Sequence, residues 1–206
     1  MKQHSFLSHT PQEMRHLSNL AHMIEGTLLA ILGVFILLGK FAGFTWALSL
    51  WPILILVAGL GLLFVLYPLH PVSEWRLIWA DAQQRQHSQL AIAIAIAGVA
   101  QILIASMPVL SYIWPLAVIL TGGLFLVHTQ HGTSEAAAKA VQRHRILGST
   151  LIAAGLLNLI EIASGAIFAA ILWPILLIAA ALQLVAYREP KGAYEGEAKH
   201  GSHAVR

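Results

Sequence analysis

The chain contains no cysteine, and that single absence removes disulfides, thiolate metal centres and cysteine nucleophiles together. Charge is also scarce. Asp, Glu, Lys and Arg supply 10% of the 206 residues, where globular domains carry about a quarter. No glycine-rich phosphate loop, nucleophile elbow or His-Glu-x-x-His helix is present, and no long polar domain that would house a soluble substrate. These absences argue against nucleotide-driven, serine-hydrolase and zinc-protease chemistry, so an enzyme is not the expected reading. The surplus of 12 basic over 9 acidic residues is small. Membrane orientation and anionic headgroups account for it, and no nucleic-acid partner is expected.

What the chain has in abundance is apolar sequence, at 58%. The runs are Met23 to Gly39, Thr45 to Tyr67, Leu90 to Ser106, Ser111 to Val127, Ile146 to Ala163 and Ala166 to Tyr187. Most reach the roughly 17 to 25 residues that a spanning helix requires. Backbone groups in hydrocarbon must be bonded within their own segment, so Ala91-Ile-Ala-Ile-Ala-Ile is expected to be helical despite its strand-like alternation. The expected fold is therefore an all-α integral membrane protein of six transmembrane helices, with the lipid bilayer as its first partner.

The six runs repeat as three hairpins. His22 and Gly26 align with His144 and Gly148 at a constant offset, which continues through Gly33 and Gly155, Gly43 and Gly165, and Trp51-Pro52 and Trp173-Pro174. A looser middle copy runs from His87 through Gly98 to Trp114-Pro115. The repeats cover about 10–70, 73–131 and 134–187, all parallel, inside a transmembrane domain spanning 22–187. Residues 1–21 read as a cytoplasmic helix and 188–206 as a flexible cytoplasmic tail. Both termini and the long loops hold nearly all the basic residues, and only Lys40 lies near the other side. The positive-inside rule then predicts N-in and C-in, in a plasma membrane of bacterial inner-membrane type. The polar start lacks a removable signal peptide, so the first span is expected to act as its own insertion signal.

Local signals refine this outline. Thr10-Pro-Gln-Glu13 and Ser134-Glu135 read as helix starts ahead of the first and third copies, and Ser73-Glu74 as the start ahead of the second. Pairs of small residues seven apart, Gly26 and Gly33, Ala91 and Gly98, Gly148 and Gly155, form stripes that admit a neighbouring backbone. The Trp-Pro prolines are expected inside their helices, with the tryptophans in the outer aromatic belt.

Two residue sets are candidates for chemistry. His22, His87 and His144, one per copy, fall at one depth on the cytoplasmic rim, joined by His128 and His131 and by Glu25 one turn deeper than His22. Imidazole suits copper, zinc and iron, so the expected function is binding or handling of a transition metal, copper or zinc first and b-type haem next. Asn158 and Glu161 lie three residues apart on one face of the fifth span, where a carboxylate demands a partner. Three states are open to Glu161: protonated, paired with Lys40 near the same surface, or lining an ion path. Gln101 and Gln183 are read as interhelical hydrogen-bonding residues. The alternative functions are a non-catalytic subunit of a membrane complex, associating with another membrane protein or a second copy, and a small transporter built on Glu161 and Asn158.

Overall fold

The computed structural model describes residues 11–66, 82–127 and 135–188. Every regular element among them is helical. They are α1 (Pro11–Phe41), α2 (Thr45–Leu66), α3 (Ala82–Ile102), a 3₁₀ segment (Pro108–Tyr112), α4 (Ile113–Val127), α5 (Glu135–Ser164) and α6 (Ile167–Ala186). Five of these stretches are long and apolar enough to cross a bilayer: Asn19–Phe41, Thr45–Leu63, Pro108–Val127, Ala138–Ser164 and Ile167–Ala186. The sixth, Ser88–Ile102 in α3, is apolar but shorter. Starts at Pro11 and Glu135 agree with the capping signals ahead of the first and third copies. The start expected at Ser73-Glu74 and the tail from residue 189 lie outside the described residues.

The third span ends earlier than its apolar run. Helix α3 stops at Ile102 rather than Ser106, and the amides of Ser106 and Met107 turn back onto the Leu103 carbonyl at 3.0 and 3.1 Å. Pro108 explains this, because its ring disfavours helical geometry at the residue before it. The chain then rewinds through the 3₁₀ segment into α4. Pro52 and Pro174 sit inside α2 and α6 as expected. Pro115 instead lies in the first turn of α4, where no intrahelical donor is lost.

Each helix packs on its neighbours in sequence, and α1 also packs on α6, so the order closes on itself. The most extensive contacts are α2 with α3, α4 with α5 and α1 with α6, that is, between successive hairpins rather than within them. Small residues make these approaches close. A methyl group at Gly26 would lie 2.7 Å from the Ala181 carbonyl oxygen, and one at Gly33 would lie 3.0 Å from that of Pro174. In α5, Gly148 and Gly155 meet the carbonyls of Gly122 and Pro115 in the same way. Across α2 and α3, Gly59 faces Ala91 while Gly98 faces Leu56. The stripes expected to grip a neighbour do so.

A continuous core includes Leu32, Ile36, Ile55, Ala97, Val118, Leu151, Leu177 and Ala180. Leu60, Ile96, Leu116, Leu120 and Leu182 point outward, the distribution expected where lipid replaces water as solvent. The tryptophans depart from expectation. Trp114 and Trp173 are only 5% and 3% exposed and belong to the core, with Trp51 packed edge-on against Trp114 at 5.8 Å between ring centroids. They fill the interior instead of anchoring at headgroups, the large apolar face of indole being buried among the helices.

Candidate functional site

His22 projects from α1 and His144 from α5, far apart in sequence, yet both are buried and their ring centroids are 6.0 Å apart. Tyr187, at the end of α6, is buried against both, its ring 4.8 Å from His22 and 4.9 Å from His144. Phe125 of α4 stacks on the His144 ring at 5.7 Å with a 21° tilt. Local packing produces this arrangement. Gly26 lies one turn beyond His22 and fits against Ala181, Leu184 and Val185, which brings His22 beside Tyr187. One turn beyond His144, Gly148 fits against Gly122 and Leu126, which carries His144 to Phe125.

The His144 ring is oriented by its own helix. Its Nδ1 lies 2.9 Å from the Ala140 carbonyl oxygen, which can only accept, so Nδ1 carries a proton. Arg143, Arg145 and Arg188 are exposed around the cluster. Arg188 Nη1 donates to the Val185 and Tyr187 carbonyls at 2.7 and 2.6 Å, satisfying the open end of α6. The rim is thus aromatic and imidazole-lined within and cationic outside.

Of the residues expected to share this rim, His22 and His144 are the two brought together among those whose side chains are described. Glu25 is half-buried on α1. His87 lies in α3, but its side chain is outside the description, as are His128 and His131. Among the described residues no group of three His, Cys, Asp or Glu side chains has the placement to hold a metal ion. Tyr187 and Phe125 were not singled out in the sequence. Their one legible signal was position, since each stands at the end of an apolar run, near the depth of the repeated histidine.

A second polar cluster stands near the opposite ends of the same helices. The Glu161 carboxylate on α5 pairs with Lys40 Nζ from α1 and accepts a hydrogen bond from the Trp173 indole N–H on α6. The Asn158 amide donates to it at 3.2 Å. Lys40 also lies over the Trp173 ring, 5.1 Å from its centroid, a cation–π placement. Of the states open to Glu161 the ion pair with Lys40 is the one present, while Trp173 joins it from a position read as a lipid anchor. Gln183 bridges α6 to Thr150 of α5 at 3.4 Å, the interhelical role expected of it.

No family model, curated protein or solved structure matches this chain.

Proposed function

We propose that the protein binds a transition-metal ion, copper or zinc, at the rim cluster, with His22 and His144 as its ligands from this chain's described core. One observation carries the reading: two buried imidazoles from helices at opposite ends of the chain converge within 6.0 Å. A metal–nitrogen distance of about 2.0 Å allows two imidazoles this far apart to share one ion at a wide angle. Tyr187 adds a phenol against both rings. His87, His128 and His131 are the candidate further ligands, and Glu25 a candidate outer carboxylate.

The reading includes an arrangement and an orientation. The three hairpins are parallel repeats closed around an axis along the membrane normal. Its support is the shared register of the three seams, in which Gly59, Gly122 and Ala181 each stand seven residues after a Trp-Pro proline and each meet a small residue of the next hairpin. Both termini are cytoplasmic. Arg15, Arg85, Lys139, Arg143, Arg145 and Arg188 lie toward the histidine end in sequence order, against Lys40 alone at the other. Transport along Glu161 and Asn158 is the weaker reading, since three donors already occupy that carboxylate and make it a fixed contact.

Elemental analysis and an absorption spectrum of the detergent-purified protein test the proposal. Stoichiometric copper or zinc is expected, lost in His22→Ala and His144→Ala and weakened in Tyr187→Phe. A metal-free protein that takes up neither ion on titration, at full helicity, overturns it. A Soret band would replace the bare ion with haem.

A further inference from the structure

The turns that join α1 to α2, α3 to the 3₁₀ segment and α5 to α6 fall at one end of the bundle, because packed helices run antiparallel. Gly26 meets Ala181 and the later Gly33 meets the earlier Pro174, and Gly148 and Gly155 meet Gly122 and Pro115 in the same opposed order. That end also holds the clasp formed by Lys40, Glu161 and Trp173. Its chemistry is unlike that of the histidine end. The three turns, 42–44, 103–107 and 165–166, contain no charged residue. Among the described residues Lys40 and Glu161 are the charged side chains near them, and each neutralises the other. At the histidine end Arg85, Lys139, Arg143, Arg145 and Arg188 are all exposed.

Apolar side chains stand out where charge is missing. Ile167 is 73% exposed and Val109 66%, beside exposed Phe41, Phe44, Met107 and Phe168. A surface facing water seldom leaves so large a patch bare. The patch does not end at the turns. It continues into Trp46 and Ile53 of α2, Ile102 of α3 and Leu172 of α6, which belong to the outward face that lipid solvates. Trp46 packs edge-on against Phe35 and Phe44, with ring centroids 5.4 and 6.2 Å away. Exposed rings of this kind favour the boundary between acyl chains and headgroups, the place that Trp114 and Trp173 leave by turning inward. A protein partner is oriented by a polar rim, whereas this patch grades into lipid-facing helix.

Length sets the depth. From His144 to Ser164 α5 rises about 30 Å, and from His22 to Phe41 α1 rises about 28 Å, at 1.5 Å per residue. A hydrocarbon core of about 30 Å inside a bilayer of about 40–45 Å leaves a headgroup layer of about 5–7 Å on each side. With the exposed arginines beside His144 at one boundary of that core, the turns reach the other boundary and stop short of water. We propose that lipid covers the clasp end: the three turns lie within the headgroup layer of their own leaflet, and the bundle meets water at the histidine end alone. Water-borne ligands then enter and leave from one side.

The absence of cysteine makes the test direct, since each introduced cysteine carries the sole label. Full-length Phe44→Cys, Ser106→Cys and Phe168→Cys are nitroxide-labelled and reconstituted in phosphatidylcholine–phosphatidylglycerol vesicles, with Arg145→Cys as the reference for water and Leu120→Cys as the reference for acyl chains. Power saturation of the electron paramagnetic resonance signal compares collisions with oxygen, which concentrates in lipid, and with a neutral, water-soluble nickel chelate. The three turn labels should meet the chelate several-fold less often than the Arg145→Cys label does, and oxygen more often. Chelate access equal to that of Arg145→Cys overturns the proposal. Shielding from both reagents also overturns it, because a second copy of the protein then covers the patch. Ser106 is exposed and polar in an open turn, so its variant decides the matter if the phenylalanine variants misfold. Metal bound by the protein is a separate readout, so failure here leaves the rim reading standing.

Discussion

Replacing Gly122 and Gly123 one at a time with alanine makes two neighbouring residues of α4 report on opposite environments. A methyl group at Gly122 would lie 2.6 Å from the Gly148 carbonyl oxygen and 2.9 Å from the Ile152 amide nitrogen, both backbone atoms of α5. At Gly123 it would meet nothing within 4 Å. Both substitutions gain the helix preference of alanine, worth up to about 1 kcal/mol. At Gly122 the gain is overrun, because α4 must retreat from α5 by several tenths of an ångström and overpacking of this kind costs about 1–3 kcal/mol. The retreat also weakens dispersion contacts along the whole seam. Gly123→Ala should therefore be neutral or stabilising, and Gly122→Ala less stable than it by roughly 1–3 kcal/mol. Loss of helical signal on heating or in graded SDS, with the protein in a mild detergent, measures the difference. Equal stability of the two variants would refute the close approach of α4 to α5.

Further outcomes follow from the core and the turns. Trp173→Phe and Trp114→Phe remove the same ring area, but only the first breaks a hydrogen bond to a carboxylate, while the Trp114 indole N–H has no partner among the described residues. Trp173→Phe should cost about 1.5–3 kcal/mol more, and equal losses in thermal unfolding would deny the clasp its indole. Gly165 closes α5 at φ 66° and Gly43 stands at φ 75° after α1. Alanine at either should cost roughly 1–2 kcal/mol and asparagine less, so an alanine variant as stable as wild type would contradict the left-handed turn. Leu177 is fully buried and Leu182 is 60% exposed. Leu177→Ala should lose about 2–5 kcal/mol and Leu182→Ala stay within about 0.5 kcal/mol of wild type, an order that reverses if α6 presents the opposite face.

Much of the helical layout was legible because hydrocarbon leaves a chain few options. Apolar runs of spanning length become helices whatever their residue preferences, and for that reason the alternating Ala-Ile segment of α3 was readable. Helix starts at Pro11 and Glu135 were written in local chemistry. The early end of α3 was less visible, since composition alone runs on to Ser106 and the effect of Pro108 acts on geometry rather than hydropathy. The pairing of Lys40 with Glu161 was also accessible, as two isolated charges near one membrane surface have few other partners.

Which side chains meet inside the bundle was a different matter. Periodicity gives each helix its small-residue stripe and each histidine its depth, but not the rotation of one helix about another. Trp114 and Trp173 carry the sequence mark of interfacial anchors, and only their orientation about the helix axis turned them inward. His22 and His144 were placed at one level by the repeat, yet a row of hairpins and a closed set give them the same level and very different separations. Contact of α1 with α6 brings His22 to Tyr187, and packing of α4 on α5 brings Phe125 to His144. The sequence by itself determined an all-helical protein with helices long and apolar enough to span a membrane, because those properties follow from local hydropathy. Tertiary structure alone decided that the first and last helices touch, because contact between chain ends depends on how the seams pack in space, and both polar clusters exist through that contact.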